Sequence, residues 1–367
     1  MEITAEHARQ ALLNQGYDVS QITRIPEGSN HYVFDVVLGG GGKAICKFPK
    51  VRYTERELVK DSIDTLFGGK LSLKREAFLY SLVRDCGLPA PEVYGRHCSP
   101  HGNFIVVEKM PGASFRRYLQ KQNYSERAFL DTMEKLGRDF AKLHQLSFPS
   151  FGNVMAGNQI DPEGVTNFSR RYAGVLQMHL NMADAKGTFA PGELAEVEQF
   201  FSVKLKELEE VLEIENSPAV LVITDFHADN FFVDDNGTPC GYFDLESCQA
   251  APAALEFYGL HFFLFNYFDA EAYHKSQKAF YASYAQAQGP YRPTSAQDFA
   301  VIDFLAACRL LEMAQSYWGY VDGLRDTWGQ RIKDLLWVYM ESGRMDYLTL
   351  GAIWRERDGQ PPVPSRR

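Results

Sequence analysis

Ile223-Thr-Asp225-Phe-His-Ala-Asp-Asn230-Phe-Phe-Val233, the turn Asp234-Asp-Asn-Gly237, then Gly241-Tyr-Phe-Asp244-Leu-Glu246: the fold is decided by how this stretch is read. Two short apolar runs between about 219 and 245 flank the turn and predict a small hairpin. Asp225 and Asn230 stand five residues apart, and Asp244 follows on the far strand. Phe231-Phe-Val233 would anchor the segment and hold the polar groups at its mouth. Oxygen ligands suit a hard cation such as Mg2+, which takes only a few from protein. Asn230 and Asp244 could supply them, leaving Asp225 free to accept a hydroxyl proton. Asp-x4-Asn taken alone also fits an ordinary turn, so its meaning depends on the residues upstream.

Upstream, Tyr32–Leu38 and Ala44–Phe48 are extended runs joined by the glycines 39–42, and they read as a hairpin. Lys47 lies near the end of the second run, which follows the turn Gly28-Ser29-Asn30-His31. Leu73, Ala77, Leu79, Tyr80 and Leu82 recur at near-helical spacing and predict a helix over 72–86 that carries Glu76. A lysine held over nucleotide phosphates must be oriented, and a glutamate on a packed helix is a suitable partner. Singly, each of these charges reads as a solvated surface group. Their shared order (turn, strand lysine, helix glutamate, hinge, Asp-x4-Asn, second-strand aspartate) points to phosphoryl transfer.

The bulk properties set limits around that reading. A chain of 367 residues exceeds one ordinary small core, so two lobes are expected. Its 45% apolar and 23% charged shares are those of a globular protein. A formal net charge of −9 and the lack of a basic stripe exclude nucleic acid as a partner. The charge is compatible with a cationic substrate and equally with simple solubility. Cys46, Cys86, Cys98, Cys240, Cys248 and Cys308 form no CxxC pair, so reduced thiols and no zinc site are expected. Met1-Glu-Ile-Thr-Ala-Glu6 lacks the marks of a secretory signal, and no uncharged run is long enough to cross a membrane. A cytoplasmic protein is expected, monomeric or homodimeric.

The remaining pattern changes character near Pro111-Gly112. Before it come a helix in residues 1–20, the strands, helices over 54–68 and 72–86, and strands at 93–94 and 104–107. After it helices dominate, over 114–121, 125–145, 167–184, 192–213, much of 253–288, and 296–342. The fold class is therefore α+β, with a strand-bearing lobe at 1–110 and a mainly helical one at 111–367. The tail from Arg355, with Pro361, Pro362 and Pro364, is expected to fray.

These residues resemble the aminoglycoside phosphotransferase and choline kinase superfamily, which shares its fold with protein kinases. Asp225-x4-Asn230 falls on the family's catalytic His-Gly-Asp-x4-Asn, and Tyr242-Phe-Asp244-Leu-Glu246 is similar to its second metal motif. Arg75-Glu76-Ala-Phe-Leu and Ala141-Lys-Leu-His144 resemble two of its helices, and Val106-Val107-Glu108-Lys-Met110-Pro-Gly resembles the hinge that contacts adenine through backbone atoms. The resemblance spans residues 22 to 260. It implies a bilobal kinase-like fold and transfer of the γ-phosphoryl group of ATP, with GTP as the other donor, to a small-molecule hydroxyl. Asp225 would be catalytic, Asn230 and Asp244 would bind Mg2+, and Gly28, Ser29, Asn30, Lys47, Glu76, Val107, Glu108 and Met110 would hold the nucleotide. Ile223-Thr224 stands where the family has His-Gly, and Ala250-Ala-Pro252 and Glu256 replace a Gly-Asp-Pro and a following aspartate. A nucleotide-binding pseudokinase is the alternative, supported only by the missing His-Gly before Asp225. No His-Arg precedes the catalytic aspartate and no Asp-Phe-Gly follows, which disfavours a protein kinase. Within the loop, His227 reads as a structural brace and Asp229 as a solvated charge.

Overall fold

The computed structural model describes residues 2–26, 31–50, 72–161, 167–212, 219–318 and 324–357. Gly28, Ser29 and Asn30, the helix expected over 54–68 and the tail beyond 357 lie outside the described residues. Helix α1 (Ala5–Asn14) opens with a capping box in which Thr4 Oγ1 accepts from the His7 amide at 3.2 Å. Strands β1 (Val19–Ile25), β2 (His31–Leu38), β3 (Lys43–Pro49), β4 (Val93–Ser99) and β5 (Gly102–Glu108) form one antiparallel sheet in the order β1-β2-β3-β5-β4. Helix α2 (Leu73–Asp85) comes between β3 and β4 in the chain.

The register sets Val33 opposite Lys47 and Phe34 opposite Cys46, so the hairpin read from the sequence is present. Alternation along β3 then decides what each face carries. Ala44, Cys46 and Phe48 enter a small core with Phe34, Val36, Phe104 and Val106, closed by Ala8, Ala11 and Leu12 of α1. Ile45 takes the other face, where Ile105 and Val107 belong to the main core. Lys47 shares that face and reaches α2.

Past Pro111 the chain becomes helical. Gly112, at φ 87°, lies against the Val233 carbonyl, and a Cβ there would sit 2.4 Å from its oxygen. Only glycine fits. The elements that follow are β6 (Ala113–Ser114), α3 (Phe115–Lys121), α4 (Glu126–Leu143), β7 (Ser147–Phe148), β8 (Val154–Met155), β9 (Gln159–Ile160), α5 (Phe168–Lys186) and α6 (Pro191–Leu212). Then come β10 (Ala219–Val222), β11 (Phe231–Val233), β12 (Pro239–Tyr242), β13 (Gln249–Ala251), α7 (Ala254–Phe263), α8 (Ala270–Gln286), α9 (Ala296–Tyr317), α10 (Leu324–Ser342) and α11 (Tyr347–Arg357).

Three expectations change. The hairpin around 234–237 joins β11 and β12, with Phe231 opposite Tyr242, whereas the earlier apolar run β10 pairs with β13 and β7. The helix expected over 296–342 is two, because Trp318 turns extended (φ −70°, ψ 134°) at the end of α9. Arg355 lies in the last helix, not in a frayed tail, and donates to the Asn266 carbonyl at 2.8 Å. The main core runs without a break from α2 through the helices to α11. All six cysteines are free thiols, and among the described residues no helix is long and apolar enough to cross a membrane.

Candidate active site

The segment 223–230 alternates its side chains between core and cleft. Ile223, Phe226 and Ala228 are buried, while Asp225 and His227 are half-buried and Asp229 is exposed. Phe226 stacks on Phe231 with centroids 4.8 Å apart, and Phe231 stacks on Phe115 at 5.0 Å. This aromatic column fastens the loop to the hairpin, as the apolar run at 231–233 suggested. Asn230 stitches the loop shut: its Nδ2 donates to the Asp225 carbonyl at 2.8 Å and its amide to the His227 carbonyl at 2.9 Å. Its own carbonyl accepts from the Phe243 amide at 3.0 Å, which ties the loop to the strand leading into Asp244. With the side-chain NH2 engaged, Oδ1 is the atom of Asn230 that a cation would use.

Asp244 sits at φ 54°, ψ 41°, a left-handed conformation that aspartate tolerates better than most residues. There its carboxylate meets Lys47, Nζ to Oδ1 3.3 Å, while its side chain stays 45% exposed. The same Nζ donates to Glu76 Oε1 at 2.6 Å, and Glu76 is held in turn by the Tyr80 hydroxyl at 2.6 Å. Lys47, Glu76 and Asp244 are thus in one cluster. Burial works against the charge on Lys47, but Glu76, Tyr80, Asp244 and Glu246 around it raise its pKa well above the usual range. Burial likewise favours a protonated Asp244, yet the charge and hydrogen bond of Lys47 outweigh it and lower the pKa. Lys47 has three N–H donors, so its two carboxylate partners leave one for a phosphate oxygen.

His31, Asp244 and Glu246 place ligand atoms within 4.8 Å of one another. His31 Nε2 lies 3.7 Å from Glu246 Oε2, and burial, aided by the Lys47 charge, lowers its pKa to about 4, so the imidazole is neutral. The part-exposed Asp244 carboxylate is a hard donor, and with Glu246 beside it the pair suits a divalent cation such as Mg2+.

Asp225 Oδ1 accepts from Arg309 Nη2 at 3.3 Å. Burial opposes the charge on Arg309, but Glu312, Tyr258 and Asp225 outweigh it and raise its pKa further. Beside Asp225 lies a cavity of about 230 Å3 lined by the loop, α7, α9 and α11. Asp229, expected to be solvated, is exposed but clamped by Arg116, whose Nε lies 2.8 Å from one oxygen, and both line that cavity. Nothing in the motif marks Arg309. The one signal is a lone arginine inside the apolar run Phe304-Leu-Ala-Ala-Cys-Arg309-Leu-Leu311.

The substituted positions of the loop have their own supports. Glu256 Oε2 accepts from the Ile223 amide at 2.6 Å, Thr224 Oγ1 donates to the Ser247 carbonyl at 3.1 Å, and the Tyr258 hydroxyl donates to the Thr224 carbonyl at 3.3 Å. Burial pushes the pKa of Glu256 well up, only partly opposed by that amide. Arg75 binds the carbonyls of Val154, Glu246 and Cys248 and so fixes the segment after Asp244 to α2. At the hinge, Val107 is buried between Ile45 and Val93, and the Glu108 amide donates to the Glu92 carbonyl at 2.8 Å. Lys109 donates to the Lys43 carbonyl at 3.3 Å, and half-buried Met110 follows.

Known proteins bear on this arrangement at two levels. Among curated proteins, none matches the sequence. In fold, the chain is similar to a fructosamine-3-kinase from Thermobifida fusca (TM-score 0.59, 15% identity, 93% of this chain and 99% of that one). It is equally similar to a mutant aminoglycoside 2'-phosphotransferase-IIIa bound to GDP (TM-score 0.59, 11% identity, 93% and 100%). A macrolide 2'-phosphotransferase from Brachybacterium faecium follows (TM-score 0.53, 11% identity, 88% and 96%). At these identities the likeness is one of fold: an antiparallel N-terminal sheet with a helical C-terminal region, the kinase-like architecture. The phosphotransferase enzyme family profile matches residues 21–305, most of the chain. The chain belongs to the phosphotransferase enzyme family.

Proposed function

We propose that this protein transfers the γ-phosphoryl group of ATP to a hydroxyl of a small molecule, with Mg2+. The observation that carries the reading is the buried Lys47 held between Glu76 at 2.6 Å and Asp244 at 3.3 Å. A cation kept charged in a buried site is suited to a polyphosphate. On this reading 1–110 is the nucleotide-binding lobe, and 111–367 carries the catalytic loop and the acceptor site. Lys47 contacts phosphate and Glu76 orients it. Gly28, Ser29 and Asn30 cover the phosphates, and the backbone from Val107 through Glu108 to Met110 borders adenine. Because the Glu108 amide is already bonded to Glu92, Met110 is the better candidate donor.

Asn230 and Asp244 would hold the ion, with Glu246 within reach. Mg2+, when bound, neutralises phosphate charge as the bond to the leaving oxygen breaks. Asp225 accepts the acceptor's proton, the hydroxyl oxygen forms the new P–O bond, and the bond between the γ phosphorus and the departing ADP oxygen breaks. Arg309, donating to Asp225 Oδ1, fixes the carboxylate and leaves Oδ2 for the proton. GTP remains the other candidate donor, since one fold neighbour was solved with GDP. Cytoplasmic placement belongs to the same reading. A pseudokinase is disfavoured because the charged groups that the chemistry requires are present, and Lys47, Glu76 and Asp244 lie in one cluster.

The test is ADP release with Mg·ATP and a panel of hydroxyl compounds. Asp225→Asn should lower kcat by about 100- to 10,000-fold, the range of general-base loss, with ATP affinity within a few-fold of the parent. Undiminished turnover in that variant would remove Asp225 from the mechanism.

A further inference from the structure

On the wall of the cavity beside Asp225, two arginines meet carboxylates and a third does not. Arg309 faces Asp225 and Glu312, and Arg116 faces Asp229. Among the described residues Arg355, the third guanidinium on the wall, makes its hydrogen bonds only to main-chain carbonyls, those of Asn266 at 2.8 Å and Phe268 at 3.4 Å. Among the described residues no carboxylate lies within ion-pair distance of it. The chain as a whole is acidic, at −9, so an uncompensated arginine here is not part of a general basic surface.

Its position is set by tight packing. Gly351, one turn earlier on α11, abuts the Asn266 carbonyl so closely that a Cβ would come within 2.2 Å of the oxygen. The neighbouring Trp354 donates its indole N–H to the Phe262 carbonyl at 3.0 Å. These contacts hold α11 on α7 and present Arg355 to the cavity with its conformational freedom already spent. A pre-organised guanidinium is the best side-chain partner for a planar carboxylate, which it binds through two parallel N–H donors.

We propose that the acceptor carries a carboxylate as well as the hydroxyl that is phosphorylated, and that Arg355 is the specificity-determining residue that reads it. The proposal rests on the phosphotransferase reading and deepens it. Arg355, with no carboxylate in ion-pair reach among the described residues, disfavours a cationic group beside it, because like charges brought together in a partly dehydrated site repel. Volume argues the same way. About 230 Å3 is below the ~300–1,000 Å3 of drug-sized sites, so the cavity suits a compact acceptor. Phe263, Tyr267 and Trp354 supply apolar walls for its carbon skeleton.

Trp354 lines the cavity, so its fluorescence reports occupancy without any need for turnover. The probes are para-hydroxymethylbenzoate, its methyl ester and para-aminomethylbenzyl alcohol, with a parallel aliphatic set of hydroxybutyrate, its methyl ester and aminobutanol. They are titrated into the full chain by fluorescence and then assayed with Mg·ATP for ADP release. At least one acid should bind saturably, at least tenfold tighter than its ester or the amine. Trp354→Phe should remove the signal. Arg355→Ala should erase the acid's advantage, the loss falling on KM rather than kcat, and Arg355→Lys should restore part of it. If an acid binds through Arg355 and no ADP forms with any acid, Arg355 reads carboxylates but the ligand is not the phosphoryl acceptor, which overturns the proposal and leaves the phosphotransferase reading to its own panel. Tighter binding or lower KM for an amine or ester, or no saturable binding of either acid, overturns the carboxylate proposal and leaves the phosphotransferase reading to its own test.

Discussion

Lys47 is a cation removed from water, so the cost of altering it depends on what is left behind. Its partner Glu76 is 1% exposed and keeps only the Tyr80 hydroxyl when the lysine is lost. Exposed ion pairs contribute about 0–1 kcal/mol, but breaking a buried pair from one side costs roughly 3–5 kcal/mol because a charge is stranded. Lys47→Met should therefore destabilise the protein by about 3–5 kcal/mol in urea unfolding. The double variant Lys47→Met with Glu76→Met should recover most of that loss, since neither charge remains. A single variant costing less than about 1 kcal/mol would mean that water reaches the pair. At this scale the sequence is informative where a residue type and its order restrict the chemistry, as with Lys47, Glu76 and Asp244. It is silent on Arg309 and Arg355, which belong to helices without a motif and acquire meaning only by what they face.

Helices α7 and α8 meet around His261, whose ring nitrogens lie 2.7 Å from the Tyr273 hydroxyl and 2.9 Å from the Tyr281 hydroxyl. Burial lowers its pKa to about 3, so the imidazole is neutral in the folded protein and titrates near 6.5 once unfolded. Below 6.5 the unfolded state binds a proton that the folded state refuses, and stability falls as pH falls. Other buried groups shift in the opposite sense, Asp303 rising to about 6, so the effect must be isolated by difference. The stability of the parent minus that of His261→Gln should shrink by about 1.4 kcal/mol between pH 7.5 and pH 5.5. A difference that stays flat with pH would show that His261 is accessible to protons in the folded state. Element boundaries were legible where local chemistry enforces them, as at Ser72, whose Oγ caps α2 at the Arg75 amide. The break at Trp318 and the pairing of β10 with β7 and β13 were not, because a helical period continues past 318 and strand partners are remote in sequence.

At the scale of the molecule, several contacts join the N-terminal sheet and α2 to the helical part at the cleft. Among them are Lys47 with Asp244 and Arg75 with the carbonyls of Val154, Glu246 and Cys248. A ligand seated across that junction binds the folded state alone. Mg·ATP at a hundredfold excess over its Kd should stabilise the protein by about 2.7 kcal/mol, seen as a rise in Tm. EDTA should reverse most of the rise, and Asp244→Asn should reduce it. An Asp244→Asn protein with the full Mg-dependent shift would exclude Asp244 as a ligand.

The order of charged residues along the chain determined the family, the α+β division and the loop that carries Asp225, because that chemistry admits few residue types at few spacings. The alternation along β3 likewise determined that Lys47 would oppose the face buried by Ala44, Cys46 and Phe48. Only the tertiary structure decided what surrounds Asp225. Arg309 lies 84 positions later in the chain, and Arg355 reaches the same cavity because Gly351 lets α11 close on Asn266. Contacts of such sequence separation are set by packing of whole helices, and no local pattern encodes which side chains that packing brings together.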